Sequence, residues 1–355
     1  MARVSSIILE DARQIVERLG QSLEPLAGST LLITGGGGFL LSYILDAVKA
    51  FNDRHADNPC RLVCVDIFIS GLPERVEHLT GDPNFTFIQH DASRPLEYDG
   101  PIDYLIHGAS IASPMVYRQK PLETIDVNVN GTRHMLELAR AKQVRSMLFM
   151  STSEIYGDPT PDAIPTSEDY RGLVSCTGPR ACYDESKRLG ETLCTIYHQQ
   201  FGVPVKAIRP FNVYGPGQRL DDKRIIPDLM TAAVNGEPIV LYSDGKATRS
   251  FCYVADFITG MLGVLMLDGG GEGYNVGNDQ EVSIRTVADL VSNIANGLPT
   301  ESAVSEDPEY LTDNPQRRCP NLTKLKTATA YRPQIDLEQG LRRTLESYRE
   351  IVAAA

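Results

Sequence analysis

The sequence predicts an α/β protein: a doubly wound parallel sheet followed by a smaller C-terminal α/β domain. Three observations carry this reading. Short apolar runs alternate with helical segments between residues 28 and 209, a glycine cluster separates the first run from the first helix, and beyond Pro210 the elements shorten while proline and glycine become more frequent. Strands covered on both faces by helices read as near-continuous apolar runs, the pattern of a parallel sheet.

Taken in order, residues 1–27 form an N-terminal extension in which Ile8, Ala12, Ile15, Val16 and Leu19 recur at helical spacing with charges between them. This is an amphipathic helix, expected to pack on its own domain or on a partner subunit. Residues 28–209 hold six strand candidates, at 30–34, 61–66, 85–89, 104–107, 147–150 and 205–209, and helical segments at 39–51, 122–141 and 183–201 lie between several of them. Residues 210–350 make up most of the second domain. Within it, Gly269-Gly270-Gly271-Glu272-Gly273 reads as a flexible loop without a chemical role.

The 355 residues are 42% hydrophobic, ample for a large core. A formal net charge of −12 argues against a nucleic-acid partner. No apolar run approaches the ~20 residues of a membrane span. Ile7-Ile8-Leu9 runs directly into Glu10 and Asp11, unlike a signal peptide. Seven scattered cysteines without a Cys-x-x-Cys pair read as reduced thiols of a cytoplasmic protein. The six histidines show no ligand spacing, so no metal site is expected.

Leu31-Leu32-Ile33-Thr34-Gly35-Gly36-Gly37-Gly38-Phe39-Leu40-Leu41 is a strand, a glycine turn and the start of a helix, the arrangement of a Rossmann-type dinucleotide site. Gly35 permits the tight turn, and Gly38 lets backbone N–H groups approach a pyrophosphate at the helix N-terminus, with Phe39 and Leu40 beside it. Leu41 stands where a third glycine usually allows close helix–strand packing, so the helix is expected farther out or tilted. Asp66 ends the second strand, where an acid accepts bonds from ribose hydroxyls and repels a 2′-phosphate, selecting NAD over NADP. Asp91 is placed to reach the adenine amino group. His107-Gly108-Ala109-Ser110 ends the fourth strand, and its small residues leave room for the dinucleotide.

Tyr183 and Lys187 lie four apart in a helical segment and so share a face. Such pairs are usually solvated helix faces. A nearby ammonium, however, is expected to lower a phenol pKa from ~10 and make the tyrosine a base. Ser151-Thr152-Ser153-Glu154 follows the fifth strand, so these side chains emerge at the carboxyl edge of the sheet, where ligands bind.

With Gly178-Pro179-Arg180-Ala181-Cys182-Tyr183-Asp184-Glu185, Arg209-Pro210-Phe211-Asn212-Val213-Tyr214-Gly215-Pro216, Thr248-Arg249-Ser250-Phe251 and Tyr274-Asn275-Val276-Gly277-Asn278 following in order, the chain resembles the extended short-chain dehydrogenase/reductase family acting on nucleotide sugars. Within it the resemblance is greatest to enzymes that decarboxylate UDP-glucuronate to UDP-xylose. It covers nearly everything from Leu31 to about Tyr348. The resemblance implies an NAD-dependent enzyme in which Tyr183 is the base and Lys187 its partner, also holding the nicotinamide ribose, while Thr152 steadies the reacting sugar hydroxyl. It implies further that Ser153 and Glu154 orient a water or proton, and that Arg224 positions the sugar carboxylate. Asn212, Arg249 and Tyr117 fall on the substrate side, Arg318 with Asn321 in a nucleotide clamp, and Asn128 on the cofactor side. A homodimer built on two helices per subunit is also implied, with Leu136, Leu189, Leu193 and Ile196 available to its seam. A 4,6-dehydratase would carry Asp-Glu where this chain has Ser153-Glu154. A 4-epimerase and a non-catalytic NAD-binding scaffold are the remaining alternatives.

Overall fold

β1 (Thr30–Thr34) is buried along its whole length, and its side chains alternate between two cores. Leu31 and Ile33 pack with residues of α2 (Phe39–Arg54), whereas Leu32 packs with Leu105, Met135, Met147 and Phe149 on the other face. Two-sided burial is why the strand is an unbroken apolar run, and each such side chain contributes about 1.5–3 kcal/mol. The computed structural model describes residues 4–69, 71–303 and 315–354.

β2 (Arg61–Asp66), β3 (Phe85–Gln89), β4 (Tyr104–His107), β5 (Ser146–Met150) and β6 (Val205–Pro210) match the predicted runs to within a residue. A seventh strand, Gly273–Val276, was not among them. The order across the sheet is Gly273–Val276, β6, β5, β4, β1, β2, β3, with every pair parallel. The order reverses between β1 and β4, so a crevice opens outside their carboxyl ends. The segment 210–350 therefore does not stand wholly apart from the first domain. Its seventh strand completes the sheet, and its helix Val254–Leu265, buried at every residue, joins the same core as α2.

The expected helix at 122–141 is interrupted. Helix Pro121–Asp126 passes through a π-helical turn, Val127–Gly131, into helix Thr132–Lys142. At the turn Asn128 is fully buried between two serines, receiving a bond from Ser110 Oγ at 2.7 Å and donating to Ser186 Oγ at 2.9 Å. Leu136 is buried in the core beside the sheet and Leu193 packs against that core, whereas Leu189 and Ile196 are exposed on the Ala181–Phe201 helix.

The N-terminal helix α1 (Ser6–Leu19) is capped by the Ser5 hydroxyl, which accepts a bond from Ile7 N at 3.3 Å. It packs on its own chain, with Ile8, Ala12, Ile15 and Val16 buried. Its fully buried Asp11 accepts bonds from Arg343 (2.7 Å), Tyr253 (2.7 Å) and Tyr43 (3.3 Å), joining α1 to α2, to the second half and to the C-terminal helix Leu337–Ala354. No helix among the described residues is long and apolar enough to cross a membrane.

Leu41 packs from α2 onto the glycine that follows β4. It is buried, and a Cβ placed on Gly108 would lie 2.2 Å from Leu41 Cδ1. The missing helix glycine is offset by a glycine at the end of β4, so the side chain fills space that a residue at 108 would need. Gly108→Val should therefore destabilise the protein by about 1–3 kcal/mol through overpacking. Combining it with Leu41→Gly should cost less than the sum of the two single changes, measured as a double-mutant cycle in urea.

Candidate active site

The crevice deepens into a cavity of about 750 Å³ lined from both halves of the chain. At its first-domain end the glycine turn is shaped by close approach. Gly35 has φ +79°, and a Cβ there would meet Ala109 N at 2.7 Å, a position only glycine tolerates. Gly38, Phe39 and Leu40 line the cavity at the start of α2. The N–H groups of a first helical turn have no acceptor within the helix, which makes this end a seat for an anion. Asp66 Oδ2 accepts from Gly37 N (2.9 Å) and Oδ1 from Phe68 N (2.7 Å), so the carboxylate is fixed at the cavity wall with lone pairs to spare. Asp91 is held by Ser93 N at 2.9 Å, and Asp91, Ala109 and Ser110 also line the wall. A cradle without Cβ atoms, a helix N-terminus and a fixed carboxylate fit the pyrophosphate and ribose of NAD. Asn128 is not part of this lining. It lies behind Ser110 in the serine bridge described above.

At the other end Tyr183 and Lys187 rise from the Ala181–Phe201 helix toward the end of β5. The Thr152 hydroxyl works to lower the Tyr183 phenol, and its Oγ1 accepts from Glu154 N at 3.2 Å, capping the turn Ser153–Tyr156. Tyr117 stacks on Tyr183, with ring centroids 5.2 Å apart and planes 9° apart. Its hydroxyl is buried without a partner among the described residues. Ser153 is buried on the cavity wall. Arg224 enters from the second half, donating to Ala112 O at 2.7 Å and pairing with Asp222 at 3.1 Å.

The expected lowering of the phenol by Lys187 is not what the geometry produces. Burial pushes Tyr183 up to about 12, with the Thr152 hydroxyl and the Arg224 charge working against it. The Lys187 ammonium donates to the Met150 carbonyl at 2.6 Å, and burial drops its own pKa to about 7. Arg224 is the cation that most lowers the phenol, while the Lys187 ammonium lies 5.8 Å from the centroid of the Tyr183 ring.

Glu154 is enclosed by guanidinium groups. Arg318 grips both carboxylate oxygens, through Nη1 to Oε1 and through Nη2 to Oε2 at 2.8 Å, and Arg180 Nη2 reaches Oε2 at 2.5 Å. Burial opposes ionisation, but Arg318, Arg180 and more distant Arg249 outweigh it and hold the carboxyl well below the usual glutamate range. Arg318 thus meets a protein carboxylate at the cavity wall. Arg249 lies outside the lining, bonding to the Thr248 and Gln316 carbonyls, and burial together with Arg318 lowers it to about 10. Arg180 was missed as a site residue although it sits three residues before Tyr183. Asn212 lines the cavity with φ +39° and donates to Ser250 O at 3.4 Å. Asn321 is turned away, its Oδ1 accepting from Thr323 N.

The glycine turn and the Thr152, Tyr183 and Lys187 side chains line one cavity. The NAD dependent epimerase/dehydratase family matches residues 31–277. The chain belongs to this family. It is 39% identical over 320 residues to UDP-glucuronic acid decarboxylase 1 of Xenopus tropicalis, covering 90% of this chain and 72% of that protein. It is 35% identical to UDP-glucuronic acid decarboxylase 5 of Arabidopsis thaliana, covering 90% and 89%. Among solved structures, a Bacillus cereus UDP-glucuronic acid 4-epimerase in complex with UDP-glucuronic acid and NAD gives a TM-score of 0.75 at 24% identity, covering 91% of this chain and 99% of that one. A Streptomyces venezuelae dTDP-glucose 4,6-dehydratase with NAD bound gives 0.78 at 24%, covering 90% and 97%. At that identity the two structures speak for the fold.

Lys187 provides a test of the electrostatics. Its folded pKa lies below the ~10.5 of an unfolded lysine, so between the two values the folded chain binds fewer protons and stability rises with pH. Relative to Lys187→Met, the wild type should gain stability from about pH 7 to about pH 10, measured by urea unfolding. A difference that does not change with pH would show that the ammonium stays charged in the fold.

Proposed function

We propose that this family member is a cytoplasmic, homodimeric enzyme that converts UDP-glucuronate to UDP-xylose and carbon dioxide through a transient 4-keto sugar. NAD, bound at the glycine turn, supplies the reversible two-electron acceptor. Tyr183 takes the proton of the C4 hydroxyl, which Thr152 steadies. The C4 ketone makes the C6 carboxylate part of a β-keto acid, so the C5–C6 bond breaks with its electron pair passing into an enolate. Arg224, next to the phenol, orients the carboxylate before its loss and its charge favours the enolate. Protonation at C5 and reduction at C4, with Tyr183 returning its proton, close the cycle.

The observation that carries this reading is the Ser153-Glu154 pair beside Thr152. Ser153 stands where a dehydratase carries the Asp of its Asp-Glu pair, so the acid for water loss is missing, and Glu154 beside it is bound by Arg318 and Arg180. The curated decarboxylases that the chain resembles over 90% of its length favour the same branch.

Incubation of the purified protein with UDP-glucuronate and NAD should give a nucleotide sugar lighter by one carbon dioxide, read by mass spectrometry. Unchanged mass with a new stereoisomer would mean an epimerase, and loss of water from a neutral hexose nucleotide a dehydratase. Tyr183→Phe should lower turnover by several orders of magnitude, since proton transfer by a positioned group contributes roughly 10²–10⁴-fold. A variant indistinguishable from wild type would point to a scaffold.

For the dimer, Leu122 and Ile125 on helix Pro121–Asp126 and Leu189 and Ile196 on the Ala181–Phe201 helix remain exposed. Two neighbouring helices with uncovered apolar residues suit a four-helix seam with a second copy. Leu189→Glu should shift the species measured by light scattering from dimer to monomer.

A further inference from the structure

We propose that Gln218 is a ligand of the dinucleotide, contributed by the second half of the chain and held in place through the N-terminal helix. This deepens the proposed function and rests on it. The loop 215–222 crosses to the first domain at Gly217, where φ is +83° and a Cβ would lie 3.3 Å from Arg75 Nε and 3.5 Å from Ile8 Cδ1. The backbone there lies flat against α1 and the Arg75 side chain, and the next residue is delivered to the cavity.

Gln218 is 5% exposed and lines that cavity. Its carbonyl accepts the Tyr348 hydroxyl, and its backbone N–H reaches Gly215 O at 3.4 Å. Among the described residues its side-chain amide has no hydrogen-bond partner. The residue is buried while its amide opens onto the cavity, which leaves the group free to meet a ligand there. Phe39 and Leu40, in the first turn of α2, line the same cavity. A pyrophosphate seated on that turn leaves its outward oxygens needing donors, and a carboxamide N–H serves them. Arg75, fixed by Asp46 at 2.8 Å, keeps a positive charge beneath the loop.

The brace runs through α1. Glu350 accepts from Ser5 Oγ and Ser6 Oγ at 2.7 Å and from Ser6 N at 3.0 Å, and Arg343 pairs with Asp11 at 2.7 Å. Asp11 also bonds Tyr43 of α2. The helix that carries Tyr348 is thereby tied to the helix that carries the phosphate-binding turn, so Gln218 and that turn hold a fixed separation. A clamp of this kind keeps the dinucleotide on the protein between turnovers.

The test is calorimetric titration of NAD, and separately of UDP, into cofactor-stripped wild type, Gln218→Ala and Tyr348→Phe, with the melting temperature of each. Gln218→Ala should weaken NAD about tenfold, as expected for a hydrogen bond to a charged group, with UDP affinity and melting temperature unchanged. Tyr348→Phe should weaken NAD in the same direction and by less. Unchanged NAD affinity in a folded Gln218→Ala protein, or a loss confined to UDP, overturns the assignment while leaving the proposed function standing. A wild type that binds UDP but not NAD overturns the proposed function itself.

Discussion

One carboxylate and two guanidinium groups hold the cavity together. Glu154 comes from the turn after β5, Arg180 from the start of the Ala181–Phe201 helix, and Arg318 from the second half of the chain. Their bonds draw three distant segments to one point. Arg318 makes both of its contacts to the same carboxylate, a bidentate geometry that fixes orientation as well as distance. A buried pair of this kind stabilises little on balance, but removing one partner leaves an uncompensated charge at a cost of about 3–5 kcal/mol. Glu154 thus sets where Arg180 stands relative to Tyr117 and Tyr183, and its two guanidinium partners hold its carboxyl well below the usual glutamate range.

Burial dominates the remaining electrostatics. It raises Tyr183, lowers Lys187 and lowers Arg249, each change favouring the neutral form. A bound anion would reverse part of this for the cations. For Tyr183 the Thr152 hydroxyl and the Arg224 charge are the two influences that counter its burial.

Much of the fold was readable because the sheet is covered on both faces. TLLIT in β1 has no polar side to blur its pattern, and the same holds for SMLFM in β5. The seventh strand, GYNV, is short, and its Asn275 is buried through bonds to Tyr156, Thr166 and Asn321 that no local pattern reports. Helical periodicity runs straight through 127–131, so the π-turn was invisible, as was the burial of Asn128 between two serines distant in sequence. The compensation at Leu41 was hidden for a similar reason, since Gly108 lies 67 residues away, just past the end of β4. Glycines, strand-end acids and the Tyr–Lys pair could be read because their roles depend on local geometry. The partners of Glu154, and the cation that acts on the phenol, depend on segments that meet only in the folded chain.

The place of Gly273–Val276 also bears on how the molecule is made. It pairs with β6 only after the intervening 62 residues have been laid down (211–272), so during synthesis β6 presents an unpaired edge, the kind of surface that invites pairing with other chains. The Asp11–Arg343 bond waits longer still, joining helix Ser6–Leu19 to helix Leu337–Ala354. The emerging chain therefore passes through an interval in which its sheet is open on one side. Chaperone demand should concentrate in that interval.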